Sequence, residues 1–404
     1  MGSSSAGTAV IAQSGGPTPV INASLLGVIE EARKNPHISA LYGARFGING
    51  IMHEDFVDLF AQSRNTIDSL KYTPSSALGT SRHEMQEKDL QRVLDVFRTH
   101  DVRYFFYNGG NGSMGTADEI ARVARDCSYE LNVIGIPKTI DNDLMLTDHT
   151  PGYPSTAHFF ACAVRDIGAD NLALPGQVEI IEILGRNAGW IVGATALARD
   201  NENDAPHLIY FPEQPLSLDR FLTDVEGVFR KFNRCVVAIC EGQLDEHGEP
   251  YGADVRRGSR GSLAMNLGHR LAMLVSQHLN IRARSEKPGL LGRSSAAFIL
   301  EHDWQESQEC GRAAVRAAVR GQGGNMVSLV REGTSEYRVQ TSLVALREVA
   351  LLERVVPPAL RSHHDVAPEF LAYASPLIGS IRHYKQFESI SVPKRISSLS
   401  ESPQ

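Results

Sequence analysis

Nowhere in this chain do apolar residues run for the roughly eighteen positions that a membrane-crossing helix needs. The serine-rich start, MGSSSAG, has neither the basic nor the apolar stretch of a secretory leader, so a cytoplasmic protein without membrane attachment is expected. Positive charge is also short. Against 47 Asp and Glu stand 40 Lys and Arg, a net charge of −7, which argues against a general nucleic-acid binder but leaves room for a local basic pocket holding a small anion. Partners should therefore be small molecules. Cysteine is scarce: Cys127, Cys162, Cys235, Cys240 and Cys310 are odd in number and include no C-x-x-C pair, which fits reduced, buried thiols. None of the 14 histidines stands with cysteine at the spacing of a zinc site.

What the chain does have is enough apolar content, 42% of 404 residues, for two or three ordinary cores. Its grammar is strand, glycine loop, helix. Thr8 to Ala12 reads as a buried strand, QSGGPTP as a loop, and Ile21, Leu25, Val28 and Ala32 as one helix face. Gly15 and Gly16 would let backbone N–H groups approach an anion at a helix N-terminus, although neither G-x-x-x-x-G-K-[ST] nor G-x-G-x-x-G is present. The pattern repeats at Val102 to Tyr107, followed by a loop holding Gly110, Asn111, Gly112 and Ser113 and a helix with Ala117, Ile120 and Ala124 on one face. Between the two lies TPSSALGTSR, a polar turn that ends in Arg82.

The apolar run Leu131 to Ile136 reads as a third strand, and just past it come Lys138, Thr139, Asp141 and Asp143. Strand ends are where open α/β sheets do chemistry. One of the paired aspartates can take a proton while the other orients it or faces a metal; the alternative is a turn whose Asp and Asn satisfy their own backbone. Near Pro151 the chain breaks. Beyond it we expect a helix over Ala157 to Ile167, strands at Val178 to Leu184, His207 to Phe211 and Arg234 to Cys240, and a long helix with Leu263, Leu267, Leu271 and Leu274 on its buried face. Gly185 and Arg186 follow the first of these strands, where an arginine either caps a helix or clamps a phosphate. Glu241 follows the last, where a carboxylate either holds sugar hydroxyls or caps a turn. Arg282, Arg284 and Arg293 flank a Pro-Gly turn and suggest an anion site, with a solvated basic face as the alternative. A helix at Arg312 to Arg320, a strand at Met326 to Val330 and an apolar segment at Pro368 to Ile378 precede SSLSESPQ, which has the composition of a disordered tail.

The blocks GGPTPVINAS, TPSSALGTSR, NGGNGSMGTA, PKTIDNDL, DHTPGYPST, ILGRNAGW and DVAPEFLAYASPLIG stand in the order seen in the 6-phosphofructokinase family, and the chain resembles its diphosphate-dependent branch from about Gly7 to Gly379. That resemblance implies two Rossmann-like three-layer α/β domains with the active site in the cleft between them. Residues 1–150 would bind the phosphoryl donor and Mg²⁺, 151–355 the sugar phosphate, and 356–404 would pack back on the body. It implies Asp141 as general base, with Lys138, Thr139 and Asp143 beside the transferring group. Gly15, Gly16, Arg82, Gly110, Asn111, Gly112 and Ser113 would meet the donor; Gly185, Arg186, Glu241, Arg284 and Arg293 would hold fructose 6-phosphate. Mg²⁺ would rest on Asp141 and, weakly, on Asn111. The implied glycolytic enzyme is a homodimer or homotetramer. Gly112 and Lys138 divide on the donor: the family pairs glycine at the first position with ATP and lysine at the second with diphosphate, and diphosphate is the reading taken. The alternatives are ATP, another acceptor, or a protein that only binds phosphosugar. Leu184, Pro154 and Leu290 differ from the residues common at their positions around the sugar.

Overall fold

GTAVIAQ, VRYFFYNG and NVIGIP have no polar alternation, so they must be covered on both faces, and parallel strands between helices provide that cover. The computed structural model describes residues 6–251, 255–258, 261–264, 266–333, 337–382, 384, 387–388 and 390–393. Five strands come first: β1 (Gly7–Gln13), β2 (Ile38–Ala44), β3 (Phe56–Asp58), β4 (Val102–Gly109) and β5 (Asn132–Pro137). Next are β6 (Gln177–Ile183), β7 (Leu208–Tyr210), β8 (Cys235–Cys240), the hairpin β9 (Val255–Gly258) and β10 (Gly261–Ala264), and β11 (Arg282–Glu286). Two more, β12 (Asn325–Glu332) and β13 (Arg338–Ala345), complete the described strands.

These strands build a seven-stranded sheet in the order β13-β12-β5-β4-β1-β2-β3 and a four-stranded sheet in the order β11-β6-β8-β7. The interior of the first is parallel and its edges, β3 and β13, run antiparallel; the second is parallel throughout. Two α/β sheets, each filled by apolar side chains on both faces, are the expected fold class.

The division of the chain differs from the expected 151–355. The second sheet takes residues only as far as β11, after which the helix Glu301–Val319 returns to the first sheet and β12 and β13 extend it. Small residues permit that return. A Cβ on Gly27 would lie 1.9 Å from the Gln308 carbonyl oxygen and one on Gly311 would lie 2.1 Å from that of Ser24, so the helices Ile21–Ala32 and Glu301–Val319 cross with backbones touching. Of the segment after 355, the helix Pro368–Ile378 stacks Phe370 on Trp190 at 6.0 Å between ring centroids, over the second sheet. The expected tail lies outside the described residues.

Local differences have local causes. The expected helix at Ala157 to Ile167 is the interior of Tyr153–Ala173, whose N-terminus is capped from the other half of the molecule: the Asp303 carboxylate accepts from Gly152 N–H at 3.0 Å, Ser155 N–H at 3.1 Å and the Ser155 hydroxyl at 2.5 Å. Leu263 belongs to β10 and not to the following helix, which starts at Leu267 after Asn266 turns the backbone left-handed. All five cysteines are free thiols; Cys235, Cys240 and Cys310 are buried, while Cys127 is exposed. No described helix is long and apolar enough to cross a membrane.

Candidate active site

A cleft of about 720 Å³ opens where the C-terminal ends of β1, β4 and β5 face those of β6 and β8. It is lined by Gly15, Gly16, Arg82, Gly110, Asn111, Gly112, Ser113, Lys138, Thr139, Asp141, Asp143, Gly185, Arg186, Glu241 and Arg293. One expected member is elsewhere. Arg284 lies on β11, an edge strand, in register with Glu179, so its position on the strand turns it toward that carboxylate and away from the cleft. Among the three unusual acceptor-side residues, Leu184 lines the cleft, Pro154 is buried at the start of its helix, and Leu290 is exposed.

The acidic turn is held by the residue between its two aspartates. Asn142 is buried with φ +55°, a left-handed conformation that asparagine tolerates. Its amide oxygen accepts from Thr150 N–H at 3.1 Å and its amide nitrogen donates to the Tyr373 hydroxyl at 2.9 Å. With Asn142 turned inward, Asp141 and Asp143 both reach the cleft. Asp141 N–H donates to the Thr139 hydroxyl oxygen at 3.2 Å, and that hydroxyl also bonds the Asp143 carboxylate. Withdrawal from water raises both carboxyl pKa values. Glu241 pushes Asp141 further up against the pull of Arg186, Arg293 and Lys138, and Asp141 pushes up Asp143.

Lys138 is 2% exposed, and its ammonium donates to the carbonyls of Ser14 at 2.8 Å and Gly16 at 2.9 Å. It thereby ties the third strand end to the first glycine loop. Gly15 departs from its expected role: its N–H is already donated to the Ser81 carbonyl at 3.1 Å, so what it contributes is a left-handed turn, φ +81°, against the Lys138 ammonium. The helix Asn111–Asp126 begins at the cleft; the Ser113 N–H is already donated to the Gly110 carbonyl at 2.9 Å, so the N–H groups of Asn111 and Gly112 are the ones that precede the helix's own hydrogen bonds.

The opposite wall comes from the second sheet and the turn after β11. Arg186 follows β6 with φ +34°, and a Cβ on Gly242 would lie 1.6 Å from its carbonyl oxygen, so the ends of β6 and β8 meet backbone to backbone and only glycine fits. Glu241, next along, has its carboxyl pKa raised by burial. Arg293 crosses toward the first half, its Nη1 2.7 Å from where a Cβ on Gly16 would stand. Burial and the neighbouring Arg82 pull its pKa down, while Asp141 and Glu241 hold it up. Arg82, Lys138, Arg186 and Arg293 thus share one cleft with Asp141, Asp143 and Glu241, and Glu84, Asp118, Glu119 and Glu353 also line it; cations set among these acids are suited to gripping phosphate groups around a site of proton transfer.

One part of the site carries no local sequence signal. Residues 350–354 lie along the acidic turn: Ala350, Leu351 and Glu353 line the cleft, Glu353 bridges to Leu144, and Arg354 N–H donates to the Asp143 carbonyl at 2.8 Å. The Arg354 guanidinium then donates to the carbonyls of Asn142 at 3.1 Å, Thr147 at 2.7 Å and Asp148 at 2.8 Å while lying over the Trp190 ring. Asn111 donates its amide to the Leu352 carbonyl at 2.5 Å, which leaves Asn111 Oδ1 buried without a partner; Asp143 Oδ1 is in the same condition.

The phosphofructokinase family model matches residues 8–334. The pyrophosphate–fructose 6-phosphate 1-phosphotransferase of Rhodospirillum rubrum is 39% identical over 384 residues, 92% of this chain and 94% of that protein. Its namesake from Xanthomonas campestris pv. campestris is 36% identical over 390 residues, 92% of this chain and 91% of that one. Among solved structures, a pyrophosphate-dependent phosphofructokinase from Marinobacter aquaeolei superposes with a TM-score of 0.84 at 33% identity, covering 95% of this chain and 94% of that one.

Proposed function

The chain belongs to the phosphofructokinase family, and on that footing we propose that it transfers a phosphoryl group from diphosphate to the 1-hydroxyl of fructose 6-phosphate, giving fructose 1,6-bisphosphate in glycolysis. The observation that carries this reading is the single cleft in which a carboxylate pair at the end of β5 is faced by Lys138, Arg82, Arg186 and Arg293 from both halves of the molecule. Phosphoryl transfer asks little covalent help of a protein; it asks for alignment and for neutralised charge.

Asp141 takes the proton of the sugar hydroxyl as the oxygen attacks phosphorus, and its raised pKa suits a base that works near neutral pH. The bond to the bridging oxygen breaks, and Lys138 and the N-terminus of Asn111–Asp126 neutralise the departing phosphate. Arg186 and Arg293 hold the 6-phosphate, and Glu241 accepts from sugar hydroxyls. Thr139 orients both aspartates. The residues present fit Mg²⁺: Asp141 with the partnerless oxygens of Asp143 and Asn111 offers the hard donor set this ion prefers. When bound, it would offset the charge of the phosphates. A cytoplasmic homodimer or homotetramer is supported by likeness to the family alone.

One observation favours ATP as the donor. A Cβ at Gly112 would meet nothing within 4 Å, which leaves space where a larger donor can lie. Lys138 and the names of the relatives favour diphosphate. The deciding experiment supplies purified protein with Mg²⁺, fructose 6-phosphate and either donor, and follows the bisphosphate. Turnover with diphosphate is expected. Turnover with ATP alone would reverse the donor, and none with either would remove the activity.

A further inference from the structure

Three ligand-type side chains that do not line the cleft converge beside β7, the edge strand of the second sheet. Asp224 lies on the helix Leu218–Phe232; His363 and His364 lie in the turn that leads to the helix Pro368–Ile378. The two imidazole Nδ1 atoms are 2.7 Å apart, and Asp224 Oδ2 is 4.0 Å from the first and 3.9 Å from the second. We propose that Asp224, His363 and His364 form a binding site for a zinc-class divalent cation that ties the C-terminal segment to the helix Leu218–Phe232.

The distances suit such an ion. A tetrahedral cation with bonds of about 2.0–2.1 Å sets its ligand atoms roughly 3.3 Å apart, a value bracketed by the three separations. Two imidazoles with one carboxylate favour zinc and its transition-metal neighbours over Mg²⁺, which prefers oxygen alone. The site is also held in place before any ion arrives. The Tyr210 hydroxyl donates to Asp224 Oδ2 at 3.0 Å, the kind of outer partner that orients a metal-binding carboxylate. Ile209 N–H donates to the His364 carbonyl at 2.9 Å, and Arg199 grips the adjacent Asp365 with both Nη atoms. His363 and His364 stay accessible, with side chains 51% and 40% exposed, so an ion can enter and water can complete its shell. Without an ion, one Nδ1–H donates to the other Nδ1; on binding, that ring takes the Nε2–H tautomer through exchange with solvent, and the cation sits where the proton was.

The test titrates zinc chloride into the full-length protein already saturated with Mg²⁺, reading heat and melting temperature, with wild type beside His363→Ala, His364→Ala, Asp224→Asn and Tyr210→Phe. Wild type is expected to take one equivalent with a rise in Tm. Each ligand substitution should weaken binding roughly tenfold or more and abolish the rise, with Tyr210→Phe falling between. Turnover in Mg²⁺ should be unchanged by the ligand variants, since none of these side chains lines the cleft. No zinc-dependent rise in wild type, or the same affinity in His364→Ala and Asp224→Asn, overturns the proposal. If a variant melts early without zinc, anomalous diffraction from zinc-soaked wild-type crystals decides. A peak among the three side chains upholds the site, and peaks only elsewhere overturn it.

Discussion

Two carboxylates two residues apart, both withdrawn from water, resist ionising together, and Asp141 and Asp143 therefore titrate as a pair displaced above the ordinary aspartate range of about 4. A raised folded pKa means that the native state keeps its protons longer than the unfolded chain. The penalty is absent below about pH 4, grows as pH climbs through the folded values, and is complete above them. Asp141→Asn should accordingly lose ~10²–10⁴ in kcat while melting no lower than wild type at pH 8, and higher if the relieved charge dominates its local packing. A variant with near-wild-type turnover would contradict its role as base. Gly112 admits a different experiment at the same scale. Its Cβ position is empty and lies at the second residue of a helix, where a negative charge is favoured, so Gly112→Asp should fold normally. Measured kcat/KM should move toward diphosphate and away from ATP by roughly tenfold or more; equal effects on both donors would show that this position does not discriminate them.

The connection from β5 to the helix Tyr153–Ala173 depends on a buried ion network. His149 is fully buried between Asp148 at 2.9 Å and Glu306 at 2.8 Å, with Arg331 on Asp148 and the Tyr337 hydroxyl on Glu306. Burial opposes its charge, but the two carboxylates outweigh burial and raise the His149 pKa; their own are lowered in return. The histidine contribution is complete below about pH 6.5 and lost as pH rises through the folded value. That of the carboxylates is present above about pH 4 and lost on acidification, so the network holds best between those limits. His149→Ala leaves two buried carboxylates short of a partner and should cost about 3–5 kcal/mol in urea unfolding at pH 6. A loss under 1 kcal/mol would show the network to be dispensable.

At this level the sequence was informative where one residue type has one good location. Uninterrupted apolar runs became the buried strands, and TIDND became the turn that presents two acids. The 350–354 segment was not legible, because Arg354 acts through carbonyls some two hundred positions earlier and Leu351 adopts a left-handed φ of +61° that no local pattern announces. Arg284 stands apart from Arg293 for a reason sequence does not show: nearby arginines look alike until a strand register pairs one of them with Glu179.

Across the whole molecule, the two sheets are not two consecutive pieces of chain. The helix Glu301–Val319 covers Leu25, Val28 and Ile29 of the first layer with Cys310, Ala314 and Val315, and β12 pairs with β5. Residues 1–150 expressed alone would expose that apolar face and should give no cooperative thermal transition by circular dichroism, whereas the full chain should. A sharp melt of the fragment would show that the returning helix is not needed. The same return explains why the boundary at 355 could not be read from composition: the crossing back to the first sheet is made by an ordinary amphipathic helix, and its only mark is glycine at two contact points.

Arg354 has one further consequence. A guanidinium that spends its donors on three backbone carbonyls of the acidic turn, with Tyr373 donating to the Asp148 carbonyl as well, fixes that turn before any substrate is present. The conformational entropy of ordering the catalytic acids is thus settled during folding and not at each encounter. The attraction between the cleft and its anionic substrates stays available for bringing oxygen and phosphorus into line.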